Sequence, residues 1–123
     1  EVDFISLQKG EPAESEFRQA AANGWDGPFI QDHVGELKDF SDTAALVMNL
    51  DLVIAVDTST AHLAATLGKP VWLLNRFDTC WRWLLDRDSS PWYSTARLFR
   101  QPKMGDWGSV TEKIHKYLSW FKI

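Results

Sequence analysis

Two short apolar runs constrain this chain most: Leu52-Val53-Ile54-Ala55-Val56 and Val71-Trp72-Leu73-Leu74. Each has strand length and carries no polar side chain. Continuous runs of this kind read as strands buried on both faces of a parallel sheet. Residues 57–70 between them open with Asp57-Thr58-Ser59-Thr60 and continue through helix formers to Leu67. Thr58 or Ser59 is the expected N-cap of that helix. Gly68 fits the position just past its end, and Pro70 stops it.

The flanking sequence repeats this alternation. Val2–Leu7 has strand character. Pro12 is tolerated at a first helical turn, and Glu14–Ala22 is rich in helix formers. Phe29-Ile30 fits a short strand. Asp42–Asn49 reads as a helix with Ser41 as N-cap and Asp42 facing its positive end. Arg97–Arg100 fits a late strand. Ser109 and Glu112 have the spacing of a capping box. Behind them Val110, Ile114, Tyr117, Leu118 and Phe121 form one apolar helical face. The expectation is an α/β fold: a three-layer α/β/α Rossmann-like parallel sheet, with residues 1–123 as a single domain.

Composition narrows the function. At 123 residues, 45% hydrophobic and 24% charged, the chain has the make-up of a folded domain and not of a disordered one. A net charge of −4 argues against a nucleic-acid binder. A single cysteine cannot form an internal disulfide. No apolar run approaches the ~20 residues of a membrane-spanning helix. The chain opens on Glu1 and reads as a piece of a longer protein.

In open α/β sheets, ligands sit beyond the carboxyl ends of the strands. The turn after Val56 is therefore the first candidate site. Helix-start N–H groups and the helix dipole attract anions, and Thr58, Ser59 and Thr60 add hydroxyl donors without bulk. The same residues also serve as ordinary helix caps. Glycine-rich dinucleotide and P-loop fingerprints are missing. Asp57, Ser59 and His62 have the residue types of a hydrolase triad, but the flanking glycines of a nucleophile elbow are absent. His62 either bonds a group inside the fold or donates to a phosphate or sugar hydroxyl. The scattered His33, His62 and His115, with Cys80 alone, show no zinc-ligand spacing. No metal or cofactor is expected.

The second feature is tryptophan: seven in the chain, five of them after residue 80. Cys80-Trp81-Arg82-Trp83 and Ser90-Pro91-Trp92-Tyr93 can stack on a base or sugar, or pack over a sheet edge. Packing is the expected role. Arg97 and Arg100 are expected to brace this loop through Asp86 or Asp88.

The run Asp57-Thr58-Ser59-Thr60-Ala61-His62-Leu63-Ala64-Ala65-Thr66-Leu67-Gly68-Lys69-Pro70 resembles the D-T-x-x-x-H-L-A-x-x-L-G-x-P stretch of family-nine glycosyltransferases, the heptosyltransferase group. Asp39–Leu46 and Leu50–Ile54 fit as well. Ile5–Gly10, Trp81-Arg82-Trp83, Ser90–Tyr93 and Leu98–Gln101 are similar to segments of bacterial proteins in which a tetratricopeptide repeat array precedes such a domain. Heptosyltransferases usually carry Gly where Ser59 stands.

The resemblance implies the C-terminal, donor-binding half of a GT-B enzyme, with its first strand–helix unit missing. It implies a nucleotide-diphosphate-sugar donor, with Asp57, Thr58, Ser59, Thr60 and His62 around the diphosphate. Gln8, Glu16, Phe40, Ser41, Asp42 and Thr43 would lie toward the nucleoside. No catalytic base is assignable in these residues; in the family it belongs to an N-terminal Rossmann half. Expected partners are that half and a repeat array in the same chain. The expected place is the cytoplasm, peripheral to the inner membrane. Two alternatives remain: a catalytically inactive interaction module beside the repeats, and a nucleotide-sugar epimerase relative.

Overall fold

A computed structural model describes residues 1–121. The elements alternate as the α/β reading requires. They are β1 (Phe4–Ser6), α1 (Ala13–Ala22), β2 (Ile30–Asp32), a 3-10 turn (Val34–Glu36), α2 (Phe40–Met48), β3 (Val53–Val56), α3 (Ser59–Thr66), β4 (Val71–Asn75), a second 3-10 turn (Trp81–Trp83), β5 (Ala96–Arg100) and α4 (Trp107–Leu118). All strand pairing within the two sheets is parallel. The chain is a mixed α/β protein of the Rossmann-like class. It divides into two compact units, Glu1–Thr43 and Ala44–Ile123.

In the first unit β1 pairs with β2, Phe4 opposite Ile30 and Ser6 opposite Asp32. Gly10 takes a positive φ of 88° where the chain turns from β1 toward α1. Its N–H donates to Glu14 Oε1 at 2.7 Å. Asp32 Oδ1 accepts from the Val34 N–H and so starts the first 3-10 turn. Helix α2 begins one residue after Asp39, whose Oδ1 accepts from the Asp42 N–H at 3.0 Å. Asp42 Oδ2 in turn accepts from the Lys38 N–H at 2.8 Å. Asp39, not Ser41, caps this helix. The two carboxylates satisfy two orphan donors reciprocally, which a single Ser hydroxyl cannot do.

In the second unit the sheet order is β3-β4-β5. Trp72 and Phe99 share one face, their ring centres 5.2 Å apart. Val110 of α4 is buried with them, and Ile114, Tyr117, Leu118 and Phe121 pack around the cluster. This is the apolar face expected of the last helix. Val71, Leu73 and Leu98, on the other face, are equally buried. Burial on both faces therefore holds for β4. It does not hold for β3, where Ile54 and Val56 are 40% and 48% exposed. The apolar face of α4 covers Trp72 and Phe99 and stops short of β3.

Two helix starts follow acidic residues. For α4 the cap is Asp106, whose Oδ1 accepts from the Ser109 N–H at 3.0 Å while the Ser109 hydroxyl donates to Oδ2 at 2.7 Å. Ser109 thus sits at the third helical position instead of the cap. Its N–H and O–H hold the Asp106 carboxyl below the usual carboxylate value. Gly68, at φ +77°, ends α3 in a left-handed turn closed by Gly68 N–H to Ala65 O and Lys69 N–H to Ala64 O. That is the expected Schellman arrangement.

Candidate functional site

The site grows from the end of β3. Thr58 is extended, at φ −137° and ψ 167°, and occupies the N-cap position of α3. Its hydroxyl does not cap the helix; it donates to Val56 O at 3.2 Å. The first helical bond is His62 N–H to Thr58 O. No described residue accepts from the N–H groups of Ser59, Thr60 or Ala61. The helix start therefore keeps its donors and its dipole turned outward. Ala61, Ala64 and Ala65 are its buried face, so little bulk separates α3 from the sheet it contacts.

Asp57 precedes this start and has both carboxylate oxygens engaged. Oδ1 accepts from His62 Nε2 at 3.0 Å, and Oδ2 accepts from the Trp83 indole N–H at 2.9 Å. An ionised carboxylate only accepts, so His62 carries its proton on Nε2. In the neutral ring, Nδ1 then accepts from the Tyr93 hydroxyl, 3.0 Å away. Trp83 stacks on His62 with ring centres 5.4 Å apart and an interplanar angle of 26°. Tyr93 meets the same ring edge-on at 5.6 Å. Four side chains thus form one hydrogen-bonded, aromatic-walled cluster at the carboxyl end of β3.

The loop behind the cluster is held at several points. Ser90 Oγ accepts from the Trp92 and Tyr93 N–H groups, a local turn that sets Tyr93 in place. Arg100 donates through Nη2 to Trp83 O and through Nε to Arg87 O, the latter at 2.8 Å. Burial pulls the Arg100 guanidinium below its ordinary value, opposed by the charge of Asp86. Arg97 pairs loosely with Asp88 at 3.8 Å, as expected. Arg100 instead braces the loop through backbone carbonyls. Directly after Trp83, Leu84 takes φ 57° and ψ −162°. That region is nearly restricted to glycine and costs a side-chain-bearing residue about 1–3 kcal/mol.

Packing as the role of the Trp tract is true of only part of it. Trp83 is 2% exposed, whereas Trp81 and Trp92 are 73% and 62% exposed. Trp92 bonds to Arg82 O through its indole N–H, and Trp81 lies beneath the Arg82 guanidinium. The short 3-10 turn has room to bury one of its two indoles.

Of the residues the sequence singled out, Asp57, Thr58, Ser59, Thr60 and His62 come together around one helix start. Gln8, Glu16, Phe40, Ser41, Asp42 and Thr43 belong to the first unit. There Gln8 follows β1 with its N–H on Ser6 Oγ. Glu16 is exposed on α1, and Phe40 is exposed at the start of α2. Trp83 and Tyr93 were legible only as aromatics; nothing in their spacing points to Asp57 or His62. Among the described residues no group of three or more His, Cys, Asp or Glu converges as a metal site would. No helix among them is long and apolar enough to cross a membrane.

Parallel strands alternating with helices define a mixed α/β protein of the Rossmann-like class. The profile of glycosyltransferase family 9 (heptosyltransferase) matches residues 4–74, more than half of the chain, and the chain belongs to that family. A particular relative is Protein FlbA of Caulobacter vibrioides (strain ATCC 19089 / CIP 103742 / CB 15), 30% identical over 113 residues. The match covers 92% of this chain but only 18% of that relative's length. No solved structure matches the chain.

Proposed function

We propose that this chain is the donor-binding part of a glycosyltransferase that moves a sugar from a nucleotide diphosphate to an acceptor hydroxyl. The observation that carries the reading is the start of α3, within the family match, where the N–H groups of Ser59, Thr60 and Ala61 have no partner among the described residues. The diphosphate would accept from these groups and from the Ser59 and Thr60 hydroxyls. The helix dipole would stabilise charge building on the leaving diphosphate. Asp57 and His62 would stand beside it with their polar atoms already bonded. The catalytic base would come from an N-terminal Rossmann half of a GT-B arrangement, and the enzyme would work in the cytoplasm.

Calorimetry of the full-length protein with UDP-, GDP- and ADP-sugars tests this. Saturable binding of one of them is the expected result. A folded protein that binds none sinks the reading.

A second reading has its own support. Trp81, Leu85 and Trp92 are widely exposed, which suits an interaction module that has lost catalysis. Product analysis separates the two: sugar transfer supports the enzyme, and an epimerised donor would support the epimerase relative instead. A folded protein with neither product nor donor binding favours the module.

A further inference from the structure

We propose that Trp83 and Tyr93 are positioning residues for the donor site: they clamp the Asp57–His62 pair and turn the Asp57 carboxylate away from the start of α3. This rests on the donor-site reading above and adds residues to it. Asp57 stands two residues before Ser59, the spacing at which an aspartate bonds the backbone N–H two residues on in an Asx turn. A free Asp57 would take the Ser59 N–H and set a negative charge where an anionic donor must bind. Instead its two oxygens are drawn to His62 Nε2 and to the Trp83 indole N–H, at 3.0 and 2.9 Å.

Trp83 suits this task. It is nearly fully buried, its indole has one polar atom, and that atom is directed to Asp57 Oδ2. Its backbone carbonyl is gripped by Arg100. Tyr93 closes the other side by bonding His62 Nδ1, which leaves Nε2 as the ring's proton-bearing atom toward Asp57. Its own place is set by the Ser90 turn. The two anchors are local and separate. The pair is therefore held from both sides by a loop that need not touch the donor.

The test uses the full-length protein carrying Trp83→Phe or Tyr93→Phe. Two signals are read: donor affinity by calorimetry, and hydrogen exchange of the backbone spanning residues 57–62 by mass spectrometry. Trp83→Phe keeps a ring but loses the donor. It should weaken donor binding about tenfold, the worth of one charge-assisted hydrogen bond, and slow exchange at the α3 start as Asp57 swings onto it. Tyr93→Phe should act in the same direction by a smaller factor. In an Asp57→Ala background Trp83→Phe should change affinity by less than about twofold, because no carboxylate remains to swing.

Unchanged affinity and exchange in both variants would overturn the proposal. So would an equal loss with and without Asp57, which marks a purely structural role. If Trp83→Phe does not fold, Tyr93→Phe, which removes one hydroxyl, decides with the same readouts. If the wild type binds no donor, the donor-site reading fails. The clamp is then judged on exchange alone: slowing in Trp83→Phe supports it, and no change overturns it.

Discussion

The Thr58 hydroxyl donates to Val56 O at 3.2 Å and so turns away from the helix it is placed to cap. The start of α3 is left with donors that nothing in the described protein accepts from. The Thr58 side chain therefore does not serve as a cap, and anion binding is the use proposed for this helix start.

Ser59→Pro addresses that use. Proline is tolerated at the first helical position, and the extended Thr58 backbone is what a residue before proline requires. The substitution removes one N–H and the hydroxyl while leaving the helix intact. Donor affinity should fall about 10- to 100-fold, by calorimetry, with little change in the denaturation midpoint. Retained affinity would remove Ser59 from the site.

Phe99 has no exposed surface and lies between Trp72, at 5.2 Å, and Tyr117, at 5.6 Å. Phe99→Ala should cost about 3–5 kcal/mol in urea unfolding, enough to threaten a domain whose whole stability is of order 5–15 kcal/mol. Phe99→Leu should cost clearly less, because the cavity is smaller.

Arg100 holds two carbonyls of the Trp-rich loop with one planar guanidinium. A lysine at this position has a single compact ammonium and cannot reproduce the two-point grip. Arg100→Lys should cost about 1 kcal/mol of stability. It should also speed proteolysis between residues 82 and 90 before any global unfolding.

Asp106 supplies a pH signature. Its carboxyl is held below the ordinary value of 3.8 by the Ser109 N–H and hydroxyl. A depressed folded value means its contribution is complete above the unfolded value and is lost as pH falls through the folded one. The wild type should therefore melt above Asp106→Asn at neutral pH. The gap should narrow below about pH 4 and close under acid. A gap that does not depend on pH would assign the effect to hydrogen-bond geometry instead of charge.

The frame of the fold was readable because its signals are short-range. Val71–Leu74 and the face Val110–Phe121 show their periods within a few residues, and the two pack together around Trp72, Phe99 and Val110. In two helices a serine with the character of a cap is not the cap, for one reason. Ser41 and Ser109 look like caps, but Asp39 and Asp106 stand just upstream with two acceptor oxygens each. The sequence of β3 reads as buried on both faces because its composition matches that of β4. Which strand α4 covers is a tertiary fact. The bond between Trp83 and Asp57 spans 26 residues of chain and leaves no trace in either segment alone. Leu84 likewise gives no hint of its backbone conformation, since glycine is the residue that would signal it.

The alanines along the inner side of α3 act as a spacer of minimal height. A helix seated on methyl groups has almost no freedom to ride up or tilt when a neighbouring residue changes. Its outward end is thus referenced to the strand below it as a gauge is to its base. Enlarging Ala61 or Ala64 by even a few carbons would lift that reference, and every group measured from it would move together. Tolerance for sequence drift in this protein should accordingly be narrowest at its smallest side chains.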